Sequence, residues 1–284
     1  MIQLGLIGYP LGHSLSPKIH AAALKACDLE GTYSLFPIQP DDKQGLKDLL
    51  ARVRSGEISG LNVTIPHKQN VIELMDELTP TAKAIGAVNT IYLRDEKLVG
   101  DNTDAFGFLA DLKRFLTLEC DSLLSHMQEQ TPALQKCALV LGAGGSARAV
   151  VYALLNDGWD VTIASRRMEQ AQELTAQFQH AKAVETDFQT FEFSNFHLIV
   201  NTTPVGMTPH VDQSPWPENL LFPKDSVIYD LIYNPRETKL VKDAHAQGLF
   251  ATTGLGMLIE QAVLAFEKWT GAKADRDVMQ KAVA

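Results

Sequence analysis

Short apolar runs alternate with helix-like stretches along this chain of 284 residues. Such runs are typical of buried strands, and apolar positions three and four residues apart are typical of helices. The runs predicted to be strands are Ile2–Ile7, Thr32–Ile38, Gly60–Ile65, Ala87–Tyr92, Cys137–Leu141, Trp159–Ala164, Ala183–Thr186, His197–Asn201, Ser226–Leu231 and Gly248–Thr252. Helices are predicted to begin at or beside Ser16, Asp42, Pro66, Ala105, Ser146, Glu237 and Met257. This alternation predicts an α/β fold.

A glycine-rich turn joins the strand Cys137–Leu141 to the helix that begins at Ser146. Gly142 would allow the tight turn, Gly144 would let a pyrophosphate approach the backbone, and Ala147 would let the helix pack closely on the strand. The helix start would offer free N–H groups to phosphates. A flexible loop would also explain the glycines. The second strand, which follows at βαβ spacing, favours nucleotide binding.

The end of that second strand indicates which nucleotide is bound. A fold specific for NAD usually presents an acidic residue there, which accepts hydrogen bonds from the ribose 2′-hydroxyl. In this chain Ser165, Arg166 and Arg167 follow the strand instead. Paired guanidinium groups can bind a 2′-phosphate through two hydrogen bonds each. The alternative is that both arginines are merely solvated in an exposed loop. We expect a preference for NADP over NAD.

Two hydroxyl groups lie at the start of the first predicted helix. Ser16 suits an N-cap position and Pro17 a first helical position, so this part of the segment has a purely structural explanation. That explanation does not extend to Ser14. Hydroxyl groups at a helix start would also suit a carboxylate ligand.

A second polar group follows the predicted strand Gly60–Ile65. Thr64 and Lys68 would lie at the carboxyl end of that strand, where open α/β sheets form their binding sites. Lys68 would also lie in the first turn of a helix starting at Pro66, where a positive charge opposes the helix dipole. We therefore expect another interaction to hold Lys68 there. An ordinary surface lysine is the alternative.

A third polar group combines Asn89 with the run Gly100–Asp104. Asn89 is predicted in the middle of a buried strand, where its amide needs partners that a ligand could supply. Thr103 or Asp104 could cap the helix predicted over Ala105–Phe115. A cap accounts for one polar residue of the run but hardly for all of them.

Composition restricts the classes of partner. The net charge is −9 and no basic run is present, so nucleic acid and anionic membranes are poor partners, and we expect a small-molecule substrate. No apolar run approaches membrane-spanning length, and no signal peptide is visible. The cysteines, Cys27, Cys120 and Cys137, are scattered singly, which suggests a reducing cytoplasm and offers no metal-ligand spacing. No metal is expected.

Together these motifs resemble the shikimate dehydrogenase family. The matching segments occur in the family's order and are Gly8–Pro10, His13–Pro17 with His20, Asn62–Pro66 with Lys68, Gly86–Thr90, Gly100–Asp104, Gly142–Gly145, Asn201–Met207, Tyr229–Tyr233, and Gly254–Met257 with Gln261. The chain departs from the family pattern at Ala21, Ser165, Arg167 and Gln170 and in the long stretch Thr117–Gln135. We predict that this stretch is an extended linker with a short helix at Ser122–Gln128.

The resemblance implies reduction of 3-dehydroshikimate to shikimate with NADP, in the route to aromatic amino acids. It implies that Lys68 and Asp104 are catalytic. The implied substrate-binding residues are Ser14, Ser16, Thr64, Asn89, Asp104, Tyr233 and Gln261. The implied cofactor-binding residues are Gly142, Ala143, Gly144, Gly145, Ser146, Ser165, Arg166, Arg167, Thr202, Leu231, Gly254 and Met257.

The implied architecture is two α/β domains that face each other across a cleft. Residues 1–104 with 255–284 would bind substrate, and residues 105–254 would form a doubly wound, Rossmann-type NADP-binding domain. The chain would act as a monomer or homodimer. A quinate-preferring dehydrogenase that uses NAD would share nearly every motif. A catalytically idle regulator would be expected to lose Lys68 or Asp104, and a methylene-folate enzyme would have no evident use for the Ser14 and Ser16 pair.

Overall fold

A computed structural model describes residues 1–119, 136–185 and 195–284. The strands of these ranges, β1–β12, are Ile2–Gly8, Gly31–Pro37, Gly60–Val63, Glu77–Leu78, Thr90–Arg94, Lys97–Asp101, Cys137–Leu141, Asp160–Ser165, Ala181–Glu185, Leu198–Asn201, Val227–Asp230 and Ala251–Thr253. Their α-helices, α1–α9, are Ser16–Ala26, Lys43–Arg54, Pro80–Ile85, Asp104–Glu119, Gly145–Asn156, Met168–Gln177, Lys239–Ala246, Leu255–Thr270 and Arg276–Lys281. The short helix predicted at Ser122–Gln128 lies outside the described residues.

The chain divides into two compact units. Unit 1 comprises Met1–Gly107 and Leu258–Ala284, and unit 2 comprises Phe108–Met257. The boundaries fall inside α4 and α8. The stretch predicted as a linker from Thr117 begins instead with the last residues of α4, because that helix continues to Glu119.

Unit 1 contains a mixed six-stranded sheet in the order β2-β1-β3-β5-β6-β4. Strand β1 pairs in parallel with β2 and β3, whereas β5 pairs antiparallel with both β3 and β6. A tight turn through Asp95 and Glu96, both at positive φ, joins β5 to β6. The core under this sheet is apolar and includes the fully buried Leu61 and Ile91. Both β4 and α3 are too short for periodicity to predict them.

The helix predicted to begin at Pro66 does not form. Turns follow β3, and a single 3₁₀ turn covers Ile72–Leu74. The backbone hydrogen bonds explain the difference. The carbonyl of Lys68 accepts from the N–H of Val88 at 2.7 Å, and the N–H of Ile72 donates to Gln69 instead. This tertiary bond takes the acceptor that a continuing α-helix needs.

Unit 2 contains a parallel six-stranded sheet in the order β12-β11-β10-β7-β8-β9. Each strand pair is parallel. With β7 counted as the first strand, this is the doubly wound Rossmann order, and the order reverses between β7 and β10. The strands are buried on both faces, as Leu139, Ile163, Ile199 and Ile228 illustrate with no exposed surface. The predicted α/β class with a doubly wound second sheet is confirmed.

The sheet of unit 1 packs closely against Trp269 at Gly60. A Cβ added at Gly60 would lie 2.1 Å from Cδ1 of Trp269, whose indole N–H donates to the carbonyl of Ile91 at 3.1 Å. Gly60→Ala must displace this indole, so we expect a loss of about 1–3 kcal/mol in the free energy of unfolding. Urea unfolding measures it. Gly12→Ala is the matched control, because a Cβ there meets no atom within 4 Å. Equal stabilities of the two variants would contradict this packing.

Candidate active site

A buried ion pair joins Lys68 to Asp104. The Nζ of Lys68 lies 2.6 Å from Oδ2 of Asp104, and only 11% and 6% of the two side chains are exposed. Lys68 reaches this position from the turns after β3, and Asp104 is the first residue of α4. The expectation that an interaction holds Lys68 in place is correct. Its premise of an opposing helix dipole is wrong, because no helix begins at Pro66.

Asn89 holds the other carboxylate oxygen of Asp104. Its Nδ2 donates to Oδ1 of Asp104 at 2.8 Å and to Oε1 of Gln261 at 3.3 Å. Its Oδ1 accepts from the backbone N–H of Thr103 at 2.7 Å. A backbone N–H can only donate, so it determines which end of the amide faces Asp104. The sequence placed Asn89 in mid-strand, whereas β5 begins at Thr90 and the amide precedes it.

Each polar residue of the run Gly100–Asp104 has a structural role. Asp101 binds Lys268 at 2.7 Å, and the side-chain oxygen of Asn102 accepts from the backbone N–H groups of Asp104 and Ala105. Asn102 therefore caps α4. The prediction that Thr103 or Asp104 is the cap is wrong, because their side chains face Asn89 and Lys68 instead. The pairing of Asp101 with Lys268 joins residues too distant in sequence for any pattern to predict.

Four other residues predicted to bind substrate also lie in unit 1. Ser14 is half-buried, and its Oγ accepts from the N–H of Ser16 at 3.3 Å. Ser16 is the first residue of α1 and not its cap, because Leu15 already has helical angles and its carbonyl accepts from the N–H of Ile19 at 3.2 Å. Thr64 follows β3, and its N–H donates to Ile7 on the neighbouring strand. Gln261 lies on α8 and is buried.

The glycine turn of unit 2 has the geometry that a dinucleotide requires. Gly142 has φ of +108°, and a Cβ there would lie 2.7 Å from Oγ1 of Thr202. That hydroxyl donates to the carbonyl of Leu141 at 2.7 Å and so joins the ends of β7 and β10 where the strand order reverses. Gly144 is the N-cap of α5, and its missing side chain faces open space. This space lies beside the start of α5, where backbone N–H groups have no acceptor within the helix, and it fits a pyrophosphate.

The turn after β8 carries the two arginines. Ser165 ends β8 and is buried, and its Oγ accepts from the N–H of Arg167 at 3.2 Å. Arg166 and Arg167 are both exposed, at the same end of the sheet as the glycine turn. Glu169, the acidic residue nearest in sequence, comes after both arginines, in the first turn of α6. The turn therefore presents positive charge where the ribose of a bound dinucleotide would lie.

A buried polar network joins the ends of β10 and β11, and sequence reasoning missed it. Asp230 is fully buried and accepts from Asn201, Thr238 and the N–H of Ile232 at 2.8, 2.7 and 3.1 Å. Burial raises the pKa of the Asp230 carboxyl to about 6, although these donors act against the rise. Asn201 in turn holds the loop after β10 by accepting from the N–H of Thr203. The feature of the sequence that could have indicated this network is an aspartate at the end of an apolar run.

Comparisons with known proteins identify the family. Residues 6–91 match the model of the shikimate dehydrogenase substrate binding domain, 125–239 that of shikimate / quinate 5-dehydrogenase, and 254–284 that of the shikimate 5′-dehydrogenase C-terminal domain. The NADP(+) shikimate dehydrogenase of Carboxydothermus hydrogenoformans is 41% identical over 283 residues, which cover 98% of this chain and 95% of the relative. The chain belongs to the shikimate dehydrogenase family.

Two solved structures of similar proteins extend the comparison. Shikimate 5-dehydrogenase of Thermus thermophilus, in complex with NADP(H) and shikimate, matches with a TM-score of 0.83 and 36% identity over 99% of this chain and 98% of its own. Quinate dehydrogenase of Corynebacterium glutamicum, in complex with NAD, matches with a TM-score of 0.82 and 31% identity, over 99% of this chain and 98% of its own. The predicted resemblance to the shikimate dehydrogenase family is confirmed.

The residues described here contain no group of three or more His, Cys, Asp or Glu side chains that could hold a metal ion. Among the helices of the described ranges, none combines the length and apolarity needed to cross a membrane.

Asp230 makes the stability of unit 2 depend on pH. Its pKa rises from 3.8 to about 6 on folding, so the folded state binds more protons than the unfolded state between these values. This contribution to stability is complete below pH 3.8 and is lost as the pH rises through 6. The loss is on the order of 3 kcal/mol, at about 1.4 kcal/mol per pKa unit.

Asp230→Asn should remove that loss, so its stability should fall less than that of the wild type between about pH 4 and about pH 6.5. Urea unfolding at several pH values measures the difference. Asp212→Asn, at an exposed position, is the control and should follow the wild type. If Asp230→Asn follows the wild-type curve as well, Asp230 does not titrate in this range.

Proposed function

We propose that the protein catalyses the reversible, NADPH-dependent reduction of 3-dehydroshikimate to shikimate. The observation that carries the proposal is the buried pair of Lys68 and Asp104, held at 2.6 Å and supported by Asn89. A catalytically idle regulator would be expected to lose Lys68 or Asp104, because a buried ion pair brings little net stability to the fold. The family comparisons support the substrate pair and the cofactor.

The chemistry requires an acid beside the reacting carbonyl. NADPH, when bound, supplies the hydride. Reduction of the carbonyl leaves an alkoxide that must take up a proton. Lys68 is proposed to polarise the carbonyl oxygen and to donate this proton from its Nζ. Asp104 is proposed to orient the ammonium group through Oδ2 and to keep it near the reacting oxygen, while Asn89 holds Oδ1.

The substrate-binding residues are proposed from their chemistry. Hydroxyl and amide groups suit a polyol, because each buried substrate hydroxyl needs a partner. Ser14, Ser16 and Tyr233 are proposed to bind the carboxylate. The residues proposed to bind ring hydroxyls are Thr64, Asn89, Asp104 and Gln261. The Oε1 of Gln261 lies 3.3 Å from Asn89, a long bond that substrate could replace.

The cofactor-binding residues are proposed from the strand ends of unit 2. The turn and strand-end residues proposed to bind NADP are Gly142, Ala143, Gly144, Gly145, Ser146, Ser165, Arg166, Arg167, Thr202, Leu231, Gly254 and Met257. The residues of the glycine turn, Gly142 to Ser146, would bind the pyrophosphate. The two arginines would bind the 2′-phosphate. We assign residues 1–104 with 255–284 to the substrate-binding domain and residues 105–254 to the NADP-binding domain. Among the proposed ligands, Tyr233 and Met257 lie outside the domain that is named for their ligand. A cytoplasmic monomer or homodimer fits the composition.

Quinate oxidation with NAD is the second candidate. The similarity to quinate dehydrogenase of Corynebacterium glutamicum favours it, since that relative was solved with NAD. The turn after β8 argues against it, because an NAD-specific site would present an acidic residue where Arg166 and Arg167 are exposed. Steady-state efficiencies with shikimate and quinate, each with NADP and NAD, distinguish the two candidates. The highest efficiency with quinate and NAD would replace the proposed function.

Lys68→Ala tests the proposed acid. We expect turnover to fall by about 10²–10⁴-fold, because the alkoxide loses its proton donor. The dissociation constant of NADPH, measured by fluorescence, should stay close to that of the wild type. Lys97→Ala is the control, since Lys97 is an exposed lysine that pairs with Glu77 on the surface of unit 1. Turnover near the wild-type value in Lys68→Ala would assign proton transfer to another group.

Arg166→Asp tests the cofactor preference. We expect the wild type to use NADP more efficiently than NAD, and the variant to lose or reverse this preference, because a carboxylate repels a 2′-phosphate. The ratio of kcat/KM values for the two cofactors is the measurement. Lys224→Asp makes the same charge change at an exposed position elsewhere in unit 2 and should keep the ratio. A retained preference in Arg166→Asp would leave Arg167 or another group as the phosphate ligand.

A further inference from the structure

Asp111 is a buried acid that the proposed mechanism does not use. It lies on α4 with 8% of its surface exposed, and its Oδ2 accepts from the hydroxyl of Tyr229 at 2.6 Å. Tyr229 lies on β11, is completely buried, and packs edge-on against Phe108 with 5.1 Å between ring centroids. A buried carboxylate requires donors for its oxygens, so the partners of Asp111 indicate what it holds.

The backbone N–H of Met257 acts on both members of this pair and lowers the pKa of the Asp111 carboxyl and of the Tyr229 hydroxyl. Met257 lies in the first turn of α8, where backbone N–H groups have no partner within the helix. Gly254, directly before α8, has no side chain that could serve as a cap. Asp111 therefore supplies from another helix the acceptor that an N-cap residue normally provides, and its negative charge suits the positive end of the helix dipole.

The contact between Asp111 and the start of α8 leaves no space for a side chain. A Cβ added at Gly256 would lie 1.9 Å from Oδ1 of Asp111. A Cβ added at Gly254 would lie 2.2 Å from the carbonyl oxygen of Leu231, directly after β11. The two glycines therefore allow the backbone at the start of α8 to lie close to both the carboxylate and the end of β11.

The electrostatics agree with this geometry. Burial raises the pKa of the Asp111 carboxyl, whereas the Tyr229 hydroxyl, Arg114 and the Met257 N–H act in the opposite direction. Burial and the nearby Asp111 raise the pKa of Tyr229 well above its ordinary value, so Tyr229 remains a protonated donor at neutral pH.

We propose that Asp111 and Tyr229 are positioning residues for the cofactor site. Together they cap α8 and fix the backbone of Gly254 and Met257 beside the end of β11. This role rests on the proposed function, in which Gly254, Met257 and Leu231 bind NADP. Neither Asp111 nor Tyr229 needs to touch the cofactor.

Asp111→Ala and Tyr229→Phe test the proposal in the full-length protein. For Asp111→Ala we expect the amide of Met257 to exchange with deuterium at least about ten-fold faster, and the dissociation constant of NADPH to rise roughly 10- to 100-fold, the usual effect of losing a hydrogen bond to a charged group. Tyr229→Phe should change both quantities less. Asp111→Asn keeps one acceptor oxygen, should fold if the alanine variant does not, and should fall between wild type and Asp111→Ala.

Asp157→Ala is the matched control for these variants. Asp157 is a partly buried aspartate of unit 2 that pairs with Lys113 at the other end of the sheet, after α5, and its loss should leave NADPH affinity and Met257 exchange unchanged. Unchanged exchange and affinity in the Asp111 variants would overturn the proposal. If the wild type itself fails to bind NADPH, the proposed function fails, while exchange at Met257 still decides whether Asp111 caps α8.

A double-mutant cycle tests the contact directly. Gly256→Ala should weaken NADPH binding in the wild type, because the added methyl group displaces the Asp111 carboxylate. In the Asp111→Ala background the same substitution should have a smaller effect, since the space is then vacant. Additive effects would contradict a direct contact between the two positions.

Discussion

The buried ion pair of Lys68 and Asp104 constrains the segments of unit 1 that surround it. Two charges removed from water are stable together only if their remaining hydrogen-bonding capacity is also satisfied. Asn89 meets this requirement at Asp104, and Thr103 holds Asn89 in the required orientation. Asp104 in turn begins a helix that Asn102 caps. The polar run before α4 is therefore one connected support, in which each residue fixes the next.

In unit 2, buried polar groups are also satisfied by hydrogen bonds, but these bonds hold backbone turns and not a charged pair. The turn after β7 depends on a glycine at positive φ, and the Thr202 hydroxyl ties that turn to the end of β10. The buried carboxyl of Asp230 accepts hydrogen bonds from Asn201 at the end of β10 and from Ile232 after β11. Parallel strands end at one edge of the sheet, so these polar groups support the loops of a single edge. Because the interior around them is apolar, each of these buried polar groups needs its hydrogen bond.

The sequence predicted most of the strands and the glycine turn, because these follow from local periodicity or from a residue's own conformational preference. It also singled out Lys68, Asn89 and Asp104, which the structure brings into contact. It failed where a distant backbone or side chain decides. The helix expected at Pro66 is prevented by Val88, and the cap of α4 is Asn102 because Thr103 and Asp104 have tertiary partners. Asp111 and Asp230 gave no periodic signal. Their partners lie on other elements, and a pattern along the chain does not contain that information.

The turn after β8 has a consequence for how this protein can change over evolution. Arg166 and Arg167 are exposed, and the turn that carries them is held through the backbone N–H of Arg167 and the side chain of the buried Ser165. The shape of the turn is thus independent of which side chains it presents. Substitutions there are free of the packing costs that restrict the polar network around Asp104. If these arginines bind the cofactor as proposed, substitutions in the turn can change the preference between NADP and NAD while the fold is kept.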